Sequence, residues 1–342
     1  MNFASDNHYG ASAEILGALS AIGAAPDAAY GDDAVTRRVR ARLCDIFERD
    51  VAAYPVINGT TANSLSLATL VPPHGAILCH AEAHIAVDEC GAPEFFTHGA
   101  KLVPIEGADG KIAPAAIEQS LRHFQKGFVH HAQPAAISLT QATELGTAYT
   151  PAELEAICGV ARHHGMKVHM DGARFANALI GLGCTPAEMT WKSGVDVLSF
   201  GATKNGALAA EAVIFFDPAD ARDFEYRRKK SGHLISKMRF VSAQLEAYLA
   251  NDHWLANARR ANGLAQRLAQ GLAQVDGIEI AHPVSANAVF ASMSAARAQK
   301  LRDAGAKFYD WGAPKGGRVL ARLMLSFATP DEAVAKLIEA AK

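Results

Sequence analysis

Three stretches of the sequence place reactive or anion-binding groups directly after short apolar runs. Tyr54–Asn58 is followed by Gly59-Thr60-Thr61-Ala62-Asn63 and a helical pattern through Leu70. A strand, a glycine turn and a helix opening on hydroxyl residues make an anion cradle, because free N–H groups and the positive helix end face the ligand. Lys167–Met170 leads into Asp171-Gly172-Ala173-Arg174, a carboxylate at a strand end with a guanidinium three residues on. That pair reads equally well as a structural ion pair, since buried charges are normally paired. Val195–Phe200 leads into Gly201-Ala202-Thr203-Lys204-Asn205-Gly206. A lysine emerging from a buried strand is desolvated, which lowers its pKa and suits it to form a Schiff base. The GxxxxGK[ST] spacing of a P-loop is absent.

Pyridoxal 5'-phosphate asks for all of these together. Its aldehyde needs a lysine, its phosphate needs a cradle, and its ring nitrogen needs a carboxylate to stay protonated and act as an electron sink. Other candidates read more plainly. His80 and His84 bracket Glu82, with Cys79, Asp88 and Cys90 nearby, but the order is neither HExxH nor a paired CxxC, so no metal is expected. Of the adjacent His130 and His131, just before a predicted strand, His131 reads as solvated. His169 lies two residues before Asp171, on the same strand face, and reads as support for it. The basic residues of Arg222–Arg239 read as a solvated helix face.

The elements that must position these groups follow from the pattern. Apolar runs at Tyr54–Asn58, Gly75–Cys79, Lys101–Ile105, Ala135–Leu139, Lys167–Met170, Val195–Phe200 and Ala212–Phe216 alternate with helical segments. Such runs predict a largely parallel sheet covered on both faces, where ligands bind beyond the carboxyl ends of the strands. Thr150-Pro151-Ala152-Glu153, Thr185-Pro186-Ala187-Glu188 and Thr329-Pro330-Asp331-Glu332 each predict a capped helix start. After about residue 240 the pattern changes to short strands with few helices, with Leu264, Leu268 and Leu272 on one helix face. Residues 1–240 are therefore expected to form an N-terminal arm and a large α/β domain, and 241–342 a small α+β domain. The arm, Met1–Asp33, is expected to be extended and to serve subunit contact.

Composition sets the outer limits. A chain of 342 residues exceeds the ~250–300 at which one core stops growing. Half of it is hydrophobic and the net charge is −2, which excludes disorder and gives no general attraction to nucleic acid or acidic membrane. Five cysteines without a CxxC pair, no basic residue before Arg37 and no long uncharged apolar run predict a cytoplasmic protein.

The sequence resembles the low-specificity L-threonine aldolases, within the β-eliminating lyase group of fold-type I pyridoxal phosphate enzymes. The matching stretches are Phe3-Ala4-Ser5-Asp6-Asn7, Tyr30-Gly31-Asp32-Asp33, Gly59–Asn63, His84-Ile85 with Asp88-Glu89-Cys90-Gly91-Ala92, His169–Arg174 with Asn177-Ala178, and Asp196 with Gly201–Ala207. They occur in the family's order up to about residue 240, and the C-terminal third matches more loosely. Gln141-Ala142-Thr143-Glu144-Leu145-Gly146-Thr147 stands where the family commonly has Glu-Asn-Thr-His, which is nearer the bacterial branch that includes phenylserine aldolases.

The resemblance implies an aspartate aminotransferase-like large domain and the retro-aldol cleavage of L-threonine, L-allo-threonine or phenylserine to glycine and an aldehyde. A β-eliminating lyase or an aminotransferase is the alternative, and a non-enzymatic cofactor-binding sensor a third reading. Lys204 would carry the cofactor, Asp171 would pair with its ring nitrogen and His84 would stack on the ring. Gly59, Thr60 and Thr61 would hold the phosphate, with Thr203, Arg174, Lys229 and Arg239 also at the cofactor. Ser5, Arg174 and Arg322 would bind the substrate carboxylate, Arg318 competing for the last assignment. His130 would recognise the β-hydroxyl, and Tyr30 would reach into a neighbour's site. The proton acceptor stays open between His84, His130 and a phosphate-held water. A homotetramer built as a dimer of dimers is implied, with Arg174, Lys204, Lys229, Arg239 and Arg322 converging on one phosphate and one carboxylate.

Overall fold

All seven apolar runs become strands of one sheet in the computed structural model, which describes residues 1–342. They are β1 (Ala52–Val56), β2 (Gly75–His80), β3 (Lys101–Ile105), β4 (Gln133–Thr140), β5 (Lys167–Gly172), β6 (Val197–Gly201) and β7 (Glu211–Phe215). Their spatial order is β1-β7-β6-β5-β4-β2-β3. Strands β3, β2, β4, β5 and β6 pair in parallel, whereas β7 runs antiparallel to both β6 and β1. β2, β6 and β7 are buried at every position, as a sheet covered on both faces requires.

The covering helices are α1 (Ala13–Ile22), α2 (Ala34–Phe47), α3 (Gly59–Leu70), α4 (His84–Val87), α5 (Ala92–Phe96), α6 (Pro114–Leu121), α7 (Pro151–His164), α8 (Phe175–Leu182), α9 (Phe224–Lys230) and α10 (Arg239–Leu249). Val39, Phe47, Leu154, Phe175 and Leu245 pack with Leu78, Met170 and Phe200 on one face of the sheet. On the other face α3 and α9 pack with Val56, Val197 and Val213, and α3 and α4 with Ile77 and Cys79. Neighbouring residues of β2 thus face opposite layers, which is the period-two rule applied to a strand buried on both sides.

The C-terminal residues form a second, antiparallel sheet of β8 (Glu279–Ile280), β9 (Ala288–Ser294), β10 (Tyr309–Asp310) and β11 (Arg318–Met324), in the order β10-β11-β9-β8. Its core joins Leu264, Leu268 and Leu272 of α11 (His253–Leu272) to α12 (Ala295–Asp303) and α13 (Asp331–Ala341). No helix is long and apolar enough to cross a membrane.

Two local expectations are corrected. The N-terminal segment is not extended throughout: α1 packs against α10, and Asp6–His8 forms a 3-10 turn. Its first residues join the second sheet, with Phe3 donating to Lys307 O and accepting from Met324 N, each at 2.8 Å. This stitching carries Ser5, Asp6 and Asn7 to the junction of the two sheets. Of the three capping signals, Thr150 and Glu153 form the full reciprocal box. Thr185 and Glu188 make both hydrogen bonds but open only a turn. Thr329 instead accepts from Ser326 N, and α13 starts behind Pro330 with no side-chain cap.

Candidate active site

The residues that follow β1, β4, β5 and β6 meet at one edge of the large sheet, and Glu211 at the start of antiparallel β7 joins them there. Close approach is built in at Gly201, where a Cβ would lie 2.6–2.8 Å from the Ala173 backbone. The turns bearing Asp171 and Lys204 are thereby pressed together. They line a cavity of about 270 Å³ with Gly59, Thr60, His84 and Arg174. A second cavity of about 210 Å³ adjoins it, sharing His84, Arg174 and Lys204 and adding Ser5 and Arg322.

Lys204 sits in the 3-10 turn Thr203–Asn205. That turn is fixed because Asn205 Nδ2 donates to Tyr248 Oη and Trp254 O, both at 2.8 Å. Burial, aided by the Arg174 charge, pushes the ammonium pKa down. Asp171 does not pair with Arg174, which removes the local ion-pair reading. Its Oδ2 accepts from Asn63 Nδ2 at 2.8 Å and its Oδ1 from Ala173 N at 2.9 Å. Arg174 reaches instead to Asp6, donating from Nε and Nη2 at 2.8 and 3.0 Å. Burial works against ionised Asp6, yet Arg174 holds its carboxyl below the usual range. Asn287 Nδ2 adds a further donor to Asp6 at 3.1 Å, tying the segment before β9 to this pair.

At the mouth of the cradle, Asn58 Oδ1 caps α3 by accepting from Thr61 N at 2.9 Å. The N–H groups of Gly59 and Thr60 are left at the open helix end. Thr61 is turned away, its Oγ1 hydrogen-bonded to His233 Nε2 at 2.7 Å. Among the expected phosphate ligands, Gly59 and Thr60 line the cavity and Thr61 does not, while Thr203, expected at the cofactor, lines it too. Desolvated Lys204, buried Asp171 and this open helix end fit pyridoxal phosphate in chemistry and in space.

Arg322 lines the second cavity, stacked 4.9 Å over Trp311 and 5.5 Å over Tyr309, with Nη2 donating to Ala4 O at 3.3 Å. Its Nε is buried without a partner, and burial together with Arg174 pushes its pKa down. Arg318 lies about 13 Å further along β11 and is spent on Ser292 and Gly277. Ser5 Oγ accepts from Asn7 N at 3.2 Å and lines the same cavity.

Three acids that sequence reading left without roles also line the main cavity: Glu89, Glu144 and Glu211. His84 Nδ1 donates to Glu89 Oε1 at 2.8 Å, and Glu89 is buried. Glu144 Oε1 accepts from His84 N and Thr140 Oγ1, both at 2.9 Å. Burial, with Asp171 adding to it, pushes Glu144 up to about 7. Burial likewise takes Glu211 to about 7, while Ala202 N donates to its Oε2 at 3.0 Å. Glu211 did leave a sequence signal: one acid opening an otherwise apolar strand.

Other expected residues are not brought to this site within the chain. His130 is exposed, its ring 4.9 Å from Phe128, before the N-terminal end of β4. The length of that strand puts it roughly 20 Å or more from the carboxyl edge. Lys229 lies 4.6 Å over the half-exposed Tyr30 ring, and Arg239 donates to Ala25 O at 3.4 Å. None of these three lines the cavity, so of the five cations expected to converge only Arg174, Lys204 and Arg322 do so. The reason is side-chain direction: Lys229 on α9 is turned onto Tyr30, and Arg239 at the start of α10 is turned to Ala25. Nor is the basic stretch wholly solvated: Arg228 is 1% exposed and stacks 5.5 Å over Tyr54.

A mostly parallel sheet, a desolvated lysine in the turn after one strand and a buried carboxylate at the end of its neighbour define a fold-type I pyridoxal phosphate enzyme. Serine palmitoyltransferase of Sphingomonas wittichii shares this fold at a TM-score of 0.74 and 15% identity, covering 100% of this chain and 86% of that one. A family model described as Beta-eliminating lyase matches residues 2–296, and the chain belongs to that family. It is 43% identical over 335 residues to the low specificity L-threonine aldolase of Pseudomonas sp. (strain NCIMB 10558), covering 98% of this chain and 95% of the relative. The corresponding protein of Pseudomonas aeruginosa is 44% identical, with the same coverage. A structure of Leishmania major threonine aldolase superposes at a TM-score of 0.94 with 27% identity, over 99% of this chain and 98% of that one. The family and fold class read from the motifs are borne out.

Proposed function

We infer that this protein is a pyridoxal phosphate-dependent aldehyde-lyase that cleaves L-threonine, L-allo-threonine and related L-β-hydroxy-α-amino acids, phenylserine among them, to glycine and an aldehyde. The observation that carries this reading is the placement of buried Asp171 at the end of β5 and desolvated Lys204 in the turn after the adjacent β6, lining one cavity with the open end of α3. Lys204 holds the cofactor, Asp171 takes its ring nitrogen, His84 covers the ring face, and Gly59, Thr60 and Thr203 receive the phosphate end. Bound there, the cofactor supplies a sink for the electron pair released as Cα–Cβ breaks.

The chain's own groups do the rest. Arg174 and Arg322 bind the substrate carboxylate with Ser5 beside them, and Asp6 keeps the Arg174 fork from swinging. Fixing the carboxylate decides which bond at Cα is presented for cleavage. His84 and Glu144 line the cavity and are within the chain's means to take the β-hydroxyl proton. His130 is too distant to do so from the same chain.

The phosphate end offers backbone N–H groups and hydroxyls but no cation beyond Lys204. Lys229 and Arg239 supply that charge, partly across a subunit boundary, and Tyr30 reaches into a neighbour's site, in a homotetramer built as a dimer of dimers. The protein works in the cytoplasm, without nucleic acid or membrane.

The test is product analysis of the holoenzyme with L-threonine and with phenylserine. Equimolar glycine and acetaldehyde or benzaldehyde are expected. Ammonia with 2-oxobutanoate or phenylpyruvate would replace this reading with β-elimination, and a β-hydroxy keto acid without glycine would replace it with transamination.

A further inference from the structure

His84 and Asp171 are joined by a continuous chain of hydrogen bonds, buried from Glu89 through Asn63 to Asp171. His84 Nδ1 donates to Glu89 Oε1 at 2.8 Å, Asn63 Nδ2 donates to the same oxygen at 2.8 Å, and the same nitrogen donates to Asp171 Oδ2 at 2.8 Å. Both hydrogens of the Asn63 amide are thereby committed, one to each carboxylate. Glu89 and Asn63 come from the turn after α4 and the first turns of α3, and their side chains are buried. Two carboxylates bridged by one nitrogen stand about 5 Å apart. At that separation, away from water, each needs its own counter-charge. For Glu89 the structure provides it in the His84 ring. For Asp171 it leaves the side that faces the cavity.

We propose that Glu89 and Asn63 are positioning residues that couple His84 to Asp171, Glu89 holding the Nδ1 proton of His84 and Asn63 shielding the two carboxylates from each other. The proposal rests on the reading of Asp171 and His84 as the groups that meet the cofactor ring. It assigns work to residues that the reaction itself does not touch. His84 is oriented with Nδ1 occupied, so only Nε2 remains for a ligand, and its proton is kept to higher pH than in a free imidazole. Hydrogen bonding to Glu89 is the main cause of that upward direction. Burial, with Asp171 adding to it, makes Glu89 also hold a proton more strongly, so the pair shares one proton. The other charged groups facing this chain are Glu144 at the His84 backbone, Lys204 and Arg174 across the cavity, and Asp88 at the end of α4. All are left intact in the variants below.

The coupling makes a prediction of opposite signs. Glu89→Gln removes the charge that holds the proton, so the His84 titration midpoint falls by about one pH unit or more, a tenfold loss of proton affinity. Asn63→Leu keeps the heavy-atom count and branching but removes both donors. Glu89 then depends more on His84, and the midpoint rises. Histidine labelled at Cε1 with carbon-13 reports this by NMR in the cofactor-loaded protein across pH 5–9, with His84 assigned from His84→Gln. Midpoints moving in opposite directions support the coupling. Unchanged midpoints, or a shift of the same sign in both variants, overturn it. Should Glu89→Gln not fold, the upward shift in Asn63→Leu decides alone. The readout does not need turnover: opposite shifts in a protein that fails to cleave β-hydroxy amino acids would retain the coupling and reject the aldolase reading.

Discussion

At the Arg174 end of the cavity, charges are matched and fixed. Asp6 receives the guanidinium bidentately, Asn287 completes the pair, and Arg322 lies over two aromatic rings beside it. At the His84 end, Glu89, Glu144, Asp171 and Glu211 surround one imidazole and one lysine, and acids outnumber bases. The first end keeps its charge across the whole working pH range, because guanidinium does not titrate there. The second has two carboxyls pushed to about 7 and shares protons instead of pairing charges. Recognition of a substrate carboxylate and movement of protons are thus separated in space, and pH dependence is expected from the second end alone.

Breaking the acidic end at Asp171 has the largest effect. Asp171→Ala removes the carboxylate opposite the ring nitrogen, and kcat for threonine cleavage is expected to fall by about 10²–10³ or more. Steady-state kinetics with saturating cofactor measures it. At the fixed end, Arg174→Lys loses the bidentate fork, and KM for threonine rises about 30-fold with a smaller change in kcat. Arg322→Lys is expected to raise KM as well and Arg318→Lys to leave it unchanged, which separates the two arginines of β11 by the same assay. Lys229→Ala weakens cofactor retention about tenfold if the residue serves a neighbour's site, read from the cofactor concentration that restores half-maximal activity.

The smallest effect is on stability. Burial holds Glu144 at about 7 in the folded chain against an ordinary value of 4.5. Between those values the folded protein binds the additional proton, so stability falls as pH rises through about 7 and then levels. Glu144→Gln is expected to flatten that fall, measured as the Tm of apoprotein from pH 5 to 8. A matching flattening in Asp6→Asn would break the distinction between the two ends, since Asp6 already titrates below this range.

The strands were legible because fully buried parallel strands write uninterrupted apolar runs, and each of the seven runs overlaps its strand. Asp171 and Lys204 were legible as polar residues that end such runs. Partners distant in sequence were not: nothing in the spacing pairs Arg174 with Asp6, 168 positions away, or Glu89 with Asn63. A periodicity tells which face a residue takes, not which residue of another element meets it. His130 is instructive in the other direction. It precedes a parallel strand, so the rule that sites form at carboxyl ends already placed it away from the cavity of its own chain. Arg228 was masked by its basic neighbours, and its packing against Tyr54 and its hydrogen bond to Pro55 O separate it from a solvated face.

The most direct test is to reduce the cofactor-loaded protein with borohydride and map the modified peptide by mass spectrometry. A pyridoxyl group on Lys204 alone, with loss of the visible absorption band in Lys204→Ala, is the predicted result. A label on any other lysine, or a protein that takes up no cofactor, would contradict the account.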